Sequence, residues 1–475
     1  MNIRTVVAGA IVASLVGLGI AASSSGGTPS QFDSGSIAAV TTDANGYSPP
    51  VQLPFSNVAS VNVELLWPAY GQADLPYQHA VVLLSSGAFK VRWVTTAGKL
   101  YVGRLSYDYV ATATQGAPPP TTTAATTTAP PPVCAPITIT AGGTYSGCYQ
   151  SSATGTPAVT IATAQPVTLD HATVNAKGYG VTDSVAGVQL SVFDSVFTQQ
   201  DPGVANDHRA IALYHGEASA DIEHNSFTNT DGIWLAANTS AGVTLASVKV
   251  DYNVATNIGR YPHETANFGC CVAFFQLSQV RSAVIEAAWN KVTNVYGQSS
   301  EDGDNINFWN SGGTDTTHKA DIRNNLIDGA YPPGGTNDTQ FTGGGINVGD
   351  ANDHNANVHN NTVVSTTNYG VSGVSAAGVV DTHIYDNLLV NDGAEQASAF
   401  GNAQEMWNPS GSISATCTAT GNSYNWHRST TDATQYPCYQ SANCTGSVLV
   451  STTEQQARDA WESSRIAAGV TIGPQ

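Results

Sequence analysis

Residues 222–235 read Ile222-Glu223-His224-Asn225-Ser226-Phe227-Thr228-Asn229-Thr230-Asp231-Gly232-Ile233-Trp234-Leu235. Alternating apolar positions on either side of an Asn predict short strands joined through an Asn turn. Asn suits that turn because it tolerates left-handed backbone and its amide bonds neighbouring main chain. The same unit returns at Val250-Asp251-Tyr252-Asn253, at Ala287-Ala288-Trp289-Asn290-Lys291-Val292 and at Ile322-Arg323-Asn324-Asn325. It returns again at Val358-His359-Asn360-Asn361-Thr362-Val363 and at Ile384-Tyr385-Asp386-Asn387-Leu388-Leu389. Weaker copies place Asp170 and Ser195 at the Asn position, and a second Asn follows at Asn229, Asn257, Asn294 and Asn391. Most units continue into another strand: Gly180-Val181, Ala210–Leu213, Gly232–Leu235, Asn305–Phe308, Gly345–Val348 and Gly370-Val371. Ile, Leu, Phe and Val would then point inward, with Ala212, Trp234, Asn307 and Asn347 outward. One unit repeated along the chain predicts a solenoid rather than a sandwich.

Stacked Asn turns of this kind resemble those of the right-handed parallel β-helix (pectate-lyase-like) superfamily. The resemblance implies an all-β fold, a right-handed parallel β-helix, over residues 134–475. Residues Thr452–Ala468 carry helical spacing through Glu454, Arg458, Trp461 and Arg465, and are expected to close the C-terminal end.

Outward from the repeat, residues 115–133 are dominated by Pro, Thr and Ala, a composition that stays extended and marks a linker. Residues 47–114 hold four apolar segments broken by Gly and Pro, which predict a small β module, with Trp67, Tyr70, Tyr77 and Trp93 as its core or, alternatively, as a sugar-stacking surface. Residues 23–46 read as a polar, flexible tether. Residues 1–22 carry one basic residue, an apolar run and a small-residue cleavage region, the pattern of an export signal. The run is short for a membrane span, and once it is removed no transmembrane span is expected. A secreted or cell-surface protein follows, in keeping with 7 Cys without zinc-type spacing. Cys134 and Cys148 bracket the first strand of the large domain and predict a local disulfide bond.

Only 11% of residues are charged and the formal net charge is -19. An acidic surface without a basic stripe excludes nucleic acid as the main partner. The few charges gather where the repeat is interrupted. The shortest coils run about 25 residues and others about ten more. The extra length falls at Gln199–Arg209, Asn257–Val272, Asn294–Asp304 and Asp328–Thr342, whereas Asn229–Gly232 has almost no loop. Long loops flanking a short one on one edge predict a groove with Asp231 at its floor. Arg209, Arg260, His263, Glu301, Asp302 and Asp304 lie in or beside these loops, and Tyr214, Trp234 and Trp309 offer faces for sugar stacking. Asp221, Lys249 and Glu286 form an outward column, read as a charge-compensated ladder. His215 and the other scattered His suggest no ligand set.

Asn229-Thr230-Asp231-Gly232 resembles the N-T-D-G motif of polygalacturonase-type glycoside hydrolases, and Glu301-Asp302-Gly303-Asp304 loosely resembles that family's paired aspartates. The G-H-G and R-I-K motifs of that family are absent. The resemblance implies polysaccharide hydrolysis by a carboxylate pair. Asp231, Asp302 and Asp304 are the candidate catalytic residues, and Arg209, Trp234, Arg260, His263 and Trp309 the candidate substrate-binding residues. Residues two coils apart stand about 10 Å from each other. Inverting glycosidases hold their carboxylates about 6.5–9.5 Å apart. No cofactor is expected for hydrolysis. The alternatives are a polysaccharide lyase, in which Glu301, Asp302 and Asp304 would bind Ca²⁺ and Arg260 or His263 would be the base, and a non-catalytic surface or adhesion β-helix.

Overall fold

The computed structural model describes residues 32–43, 47–53, 58–67, 76–84, 88–95 and 104–113. From residue 134 to 475 it describes all but 200–208, 238–241, 259–272, 295–303, 331–343, 351–353, 367–372, 392–401, 409–412, 428–433 and 440–443. Contacts divide the chain into two compact units, Met1–Thr127 and Thr128–Gln475.

The first unit is an antiparallel β module. Arg104–Ala113 pairs with both Phe32–Thr41 and Val58–Trp67, while Ala88–Thr95 pairs with Val51–Gln52 and Pro76–Leu84. Phe89, Val91 and Trp93 are fully buried, a core that alternation along one strand produces directly. Phe32–Thr41 is a strand where the polar composition predicts a tether: its Ser and Gly residues are carried by main-chain pairing to Arg104–Ala113. The side chains of Trp67 and Tyr77 and the whole of Tyr70 lie outside the described set.

The second unit is a parallel β-helix. A typical coil contributes three strands, as in Ser219–Glu223, Ser226–Thr228 and Ile233–Ala236, and each of these pairs in parallel with its counterpart in the next coil. One face is an eleven-stranded sheet running in chain order from Ile137–Ile139 to Cys438–Tyr439. Inside, columns of apolar side chains stack without exposure, including Ile222, Phe227, Ile233 and Leu235. Phe197 and Phe227 lie face to face at 4.9 Å.

The Asn turns form a continuous ladder. The backbone N–H of Ser195 donates to the side-chain oxygen of Asn225, Asn225 to Asn253, Asn253 to Asn290, and onward through Asn325, Asn361 and Asn387 to Asn422, each at 2.9–3.0 Å. Each amide nitrogen from Asn225 to Asn387 also donates to a main-chain carbonyl of the preceding coil. Two details differ from expectation. The left-handed residue is the one before each ladder Asn, namely His224, Tyr252, Trp289, Asn324, Asn360 and Asp386. The ladder continues past Ser195 to Ala172, whose N–H donates to the Ser195 hydroxyl, so Asp170 is two residues out of register.

Elsewhere, the strand expected at Gly370-Val371 lies outside the described residues, and Val374–Ala377 takes the sheet position, with Val374 opposite Ile346. Phe275–Ser278 also belongs to the sheet, a strand that the Asn-turn pattern does not mark because it follows the longest interruption. The C-terminal helix, Glu454–Ala467, starts from a capping box on Thr453. It lies along the flank, against Leu326, Val364 and Val390, where spacing alone suggested a cover for the end. Trp461 anchors it there, beside Trp289 and donating to the Asn324 carbonyl, while Arg458 grips Asp328 at 2.8 and 2.9 Å. Disulfides join Cys134 to Cys148 and Cys438 to Cys444, and Cys417 is free and buried. No described helix is long and apolar enough to cross a membrane.

Candidate functional site

All four long connections lead into the eleven-stranded sheet, arriving at Ile211–Leu213, Phe275–Ser278, Asp304–Trp309 and Gly344–Asp350. Between the first two, Ser226–Thr228 passes to Ile233–Ala236 with almost no loop. The short link depends on Gly232, whose φ is +69° and whose added Cβ would stand 2.2 Å from the Ala273 carbonyl oxygen. Glycine alone allows both the backbone conformation and the close approach of the next coil.

Register sets the outward column of this sheet as Ala212, Trp234, Gln276, Asn307, Asn347, Ser375 and Glu405. Trp234 stacks on Tyr214 at 5.8 Å and donates its indole N–H to Ser278. Arg209 runs along the column from its own coil, donating to the Asp231 carbonyl at 3.1 Å and to the Gln276 side chain at 2.8 Å. Its guanidinium lies 5.9 Å from the Trp234 ring. Aromatic rings, an arginine and side-chain amides thus share one outward-facing column of the sheet, in which Arg209, Gln276, Asn307 and Asn347 are themselves buried.

Asp231 and Asp304 occupy equivalent strand positions, two before Ile233 and Ile306, with one coil between them. Asp231 is entirely buried, and its main-chain N–H donates to Gln199. Asp304 is buried and accepts from the amide nitrogens of Asn307 and Asn347 and from the Gly344 N–H, at 2.9–3.0 Å. The structure therefore brings Arg209, Asp231, Trp234 and Asp304 to one strip, with Trp309, 43% exposed, at the far end of the Asp304 strand. Arg260, His263, Glu301 and Asp302 lie outside the described residues. Both Asp304 oxygens accept N–H donors from the protein.

His215, one of the scattered histidines, lies beside a buried acid. Asp183 sits opposite Ile161, in a strand position that elsewhere holds core residues, and its side chain has no exposure. It accepts the backbone N–H groups of Tyr214 and His215 and approaches His215 Nδ1 at 3.0 Å. The available signal was an acid at an inward position of Val181-Thr182-Asp183, where alternation calls for an apolar residue. Nearby, burial pushes the Glu217 carboxyl up to about 8, and the Asp183 charge adds to the effect.

A second ionic cluster lies on another face. Asp221, Lys249, Glu286 and Asp321 align in one column, as the ladder reading expects, and Glu223, Asp251 and Arg323 stand two residues on in their strands. Arg323 pairs with Glu286 and Asp321, and His359 with Asp321. Desolvation, then the Asp221 charge, raises Glu223 to about 7; desolvation, then Glu286, raises Asp251 to about 8. Among the described residues, Asp170, His171 and Asp194 are the one set placed closely enough to share a metal ion, but Asp170 bonds His171 and Asp194 accepts the Gln475 N–H.

No family model, no curated protein and no solved structure matches the chain.

Proposed function

We propose that this chain is a secreted, pectate-lyase-like β-helix protein that binds a polysaccharide along the strip from Tyr214 and Trp234 to Asn347 and cleaves it there. The observation that carries the reading is the union of a stacked aromatic pair with Arg209 and three side-chain amides on one rigid sheet. Aromatic faces take the apolar faces of sugar rings, and amides bond their hydroxyl groups. A parallel sheet holds these groups at the coil repeat of about 4.8 Å, which suits an extended polymer better than a compact metabolite.

In a hydrolytic route, Asp231 and Asp304 are the carboxylates at two-coil spacing. Their burial leaves a catalytic proton donor or acceptor to be supplied beside them. A panel of uronate-rich and neutral glycans, read by affinity electrophoresis and release of reducing ends, tests the proposal. Binding that weakens in Trp234→Ala, with cleavage of at least one polymer, is the expected result. Binding without cleavage would point instead to a non-catalytic surface protein, and neither would end the carbohydrate reading.

A further inference from the structure

We infer that residues 454–475 form a strap that runs back over the Asn-turn corner and couples coils that do not touch one another, so that the stack from the Ser195 coil to the Asn387 coil opens as one unit. In a solenoid each repeat meets only its neighbours, and stability is close to a sum of repeat and nearest-neighbour contributions. Coils near one end can then open before those in the middle. A segment fixed to many coils at once changes this, because its contacts are complete only when every coil beneath it is in place.

The contacts follow the strap in reverse coil order. Ala457 and Trp461 of the helix share a buried cluster with Val390, Val364 and Leu326, from the coils of Asn387, Asn361 and Asn325. Arg458 pairs with Asp328, also in the Asn325 coil, and Trp461 reaches the ring of Trp289 in the Asn290 coil. Gly469, at φ +67°, ends the helix, and the Val470 N–H bonds back to the Arg465 carbonyl. Beyond it, Ile472 packs against the same cluster. The Gly473 N–H donates to the Tyr252 carbonyl at 2.7 Å, beside Asn253. The Gln475 amide nitrogen lies 3.3 Å from His224 Nδ1, beside Asn225, and its main-chain N–H donates to Asp194 at 2.9 Å, beside Ser195.

The corner is built to receive this segment. Asn324, Trp289, Tyr252, His224 and Asp194 all belong to the left-handed column that precedes the ladder. Two main-chain carbonyls of that column, those of Asn324 and Tyr252, are taken by the strap. Gly473 is buried at φ +73°, and a Cβ there would stand 3.2 Å from Val254 Cγ2, so glycine is the residue that lets the strap lie this close. A loosely trailing segment would need no such residue. The bond from Gln475 to Asp194 joins positions 281 apart in the chain, and it closes only when the coils between them are stacked in register.

Deletion of residues 469–475 from the full chain, and Gly473→Ala as a milder lift of the same segment, are compared with the parent by amide hydrogen exchange. The deciding amides are those of Ile211–Leu213 and Ile233–Ala236, which belong to the Ser195 and Asn225 coils but lie on the eleven-stranded sheet rather than at the corner. In the parent, the slowest amides of these coils and of the Asn387 coil exchange through a common opening. Both variants speed exchange at Ile211–Leu213 and Ile233–Ala236, by about 10-fold or more in the deletion, while the strands of Val364 and Val390, still under the helix, keep the parent rates. Faster exchange confined to Asp194, His224 and Tyr252 overturns the coupling and makes the segment a local cover. Parent rates throughout, or a uniform rise along the whole stack, overturn it as well.

Discussion

The Asn-turn corner and the loop-bearing sheet of the β-helix both bury polar groups, and they do it in opposite ways. At the corner, each buried amide does the same work as the one before it, from Asn225 to Asn422, and every donor meets an acceptor one coil away. On the sheet, the polar groups differ from coil to coil: Trp234, then Gln276, then Asn307, and their bonds run along or across the column to Arg209 and Asp304. Uniform partners give a scaffold; varied partners give each coil of the sheet a polar environment of its own. Asp183 with His215 is the extreme case, a buried acid present in one coil alone that orients one half-exposed ring.

Breaking the contrast where the two regions meet should have the largest effect. Gly232→Ala must accept a left-handed backbone and a Cβ against the Ala273 and Phe274 carbonyls. A loss of about 4 kcal/mol or more is expected in denaturant unfolding. A midpoint unchanged from the parent would mean that the short link is not built as described.

Next is the ladder itself. Asn290→Ala removes two donations and two acceptances, leaving the Asn253 N–H and the Val250 carbonyl without their side-chain partner. A cost of about 3 kcal/mol follows from stranding buried polar groups. Because the ladder is continuous, amide hydrogen exchange should accelerate in the coils on both sides. Acceleration confined to residue 290 would argue against a shared network.

The ionic face sharpens the comparison through pH. Asp251 is buried and raised to about 8 in the folded state, above its value in an unfolded chain. Between those values the folded state binds more protons, so stability attributable to Asp251 is present at low pH and falls as pH rises towards about 8. Asp251→Asn keeps an acceptor for the Ala288 N–H and should flatten that decline, read as thermal midpoints across pH. An identical slope in the variant would remove Asp251 as its source.

The smallest effect should come from the strip proposed to bind glycan. Trp234→Ala removes a half-buried ring whose indole bonds Ser278, and is expected to weaken glycan binding by about 1–2 kcal/mol, with a minor change in stability. If stability falls as far as in Asn290→Ala while binding holds, Trp234 belongs to the scaffold.

How much of this could be read in advance varies with the range of the interactions. The ladder was legible because each Asn sits two residues before an apolar neighbour in a repeated pattern, and only at Asp170 did the frame slip, where Val167–Ala176 runs as one strand through the turn. The flank position of the C-terminal helix was not legible, since Trp461 meets Trp289 and Asn324 across a large sequence separation. His215 looked like one of several scattered imidazoles. Nothing local distinguishes it from His359 or His383; the distinction is that the acid behind it, Asp183 in the preceding coil, is fully buried.

By itself, then, the order of residues determined the coil: alternation decided which side chains face inward, and Asn and Gly decided where the chain turns, because both act over a few residues of backbone. The tertiary structure decided which polar groups meet. Stacking places residues some 30 positions apart within hydrogen-bond reach, and the lengths of the intervening loops, rather than any local preference, determine which ones those are. That is why Asn225 to Asn387 could be named as a row from spacing, whereas Asn422 joined that row, and Asp183 and His215 became a pair, only once the coils were stacked.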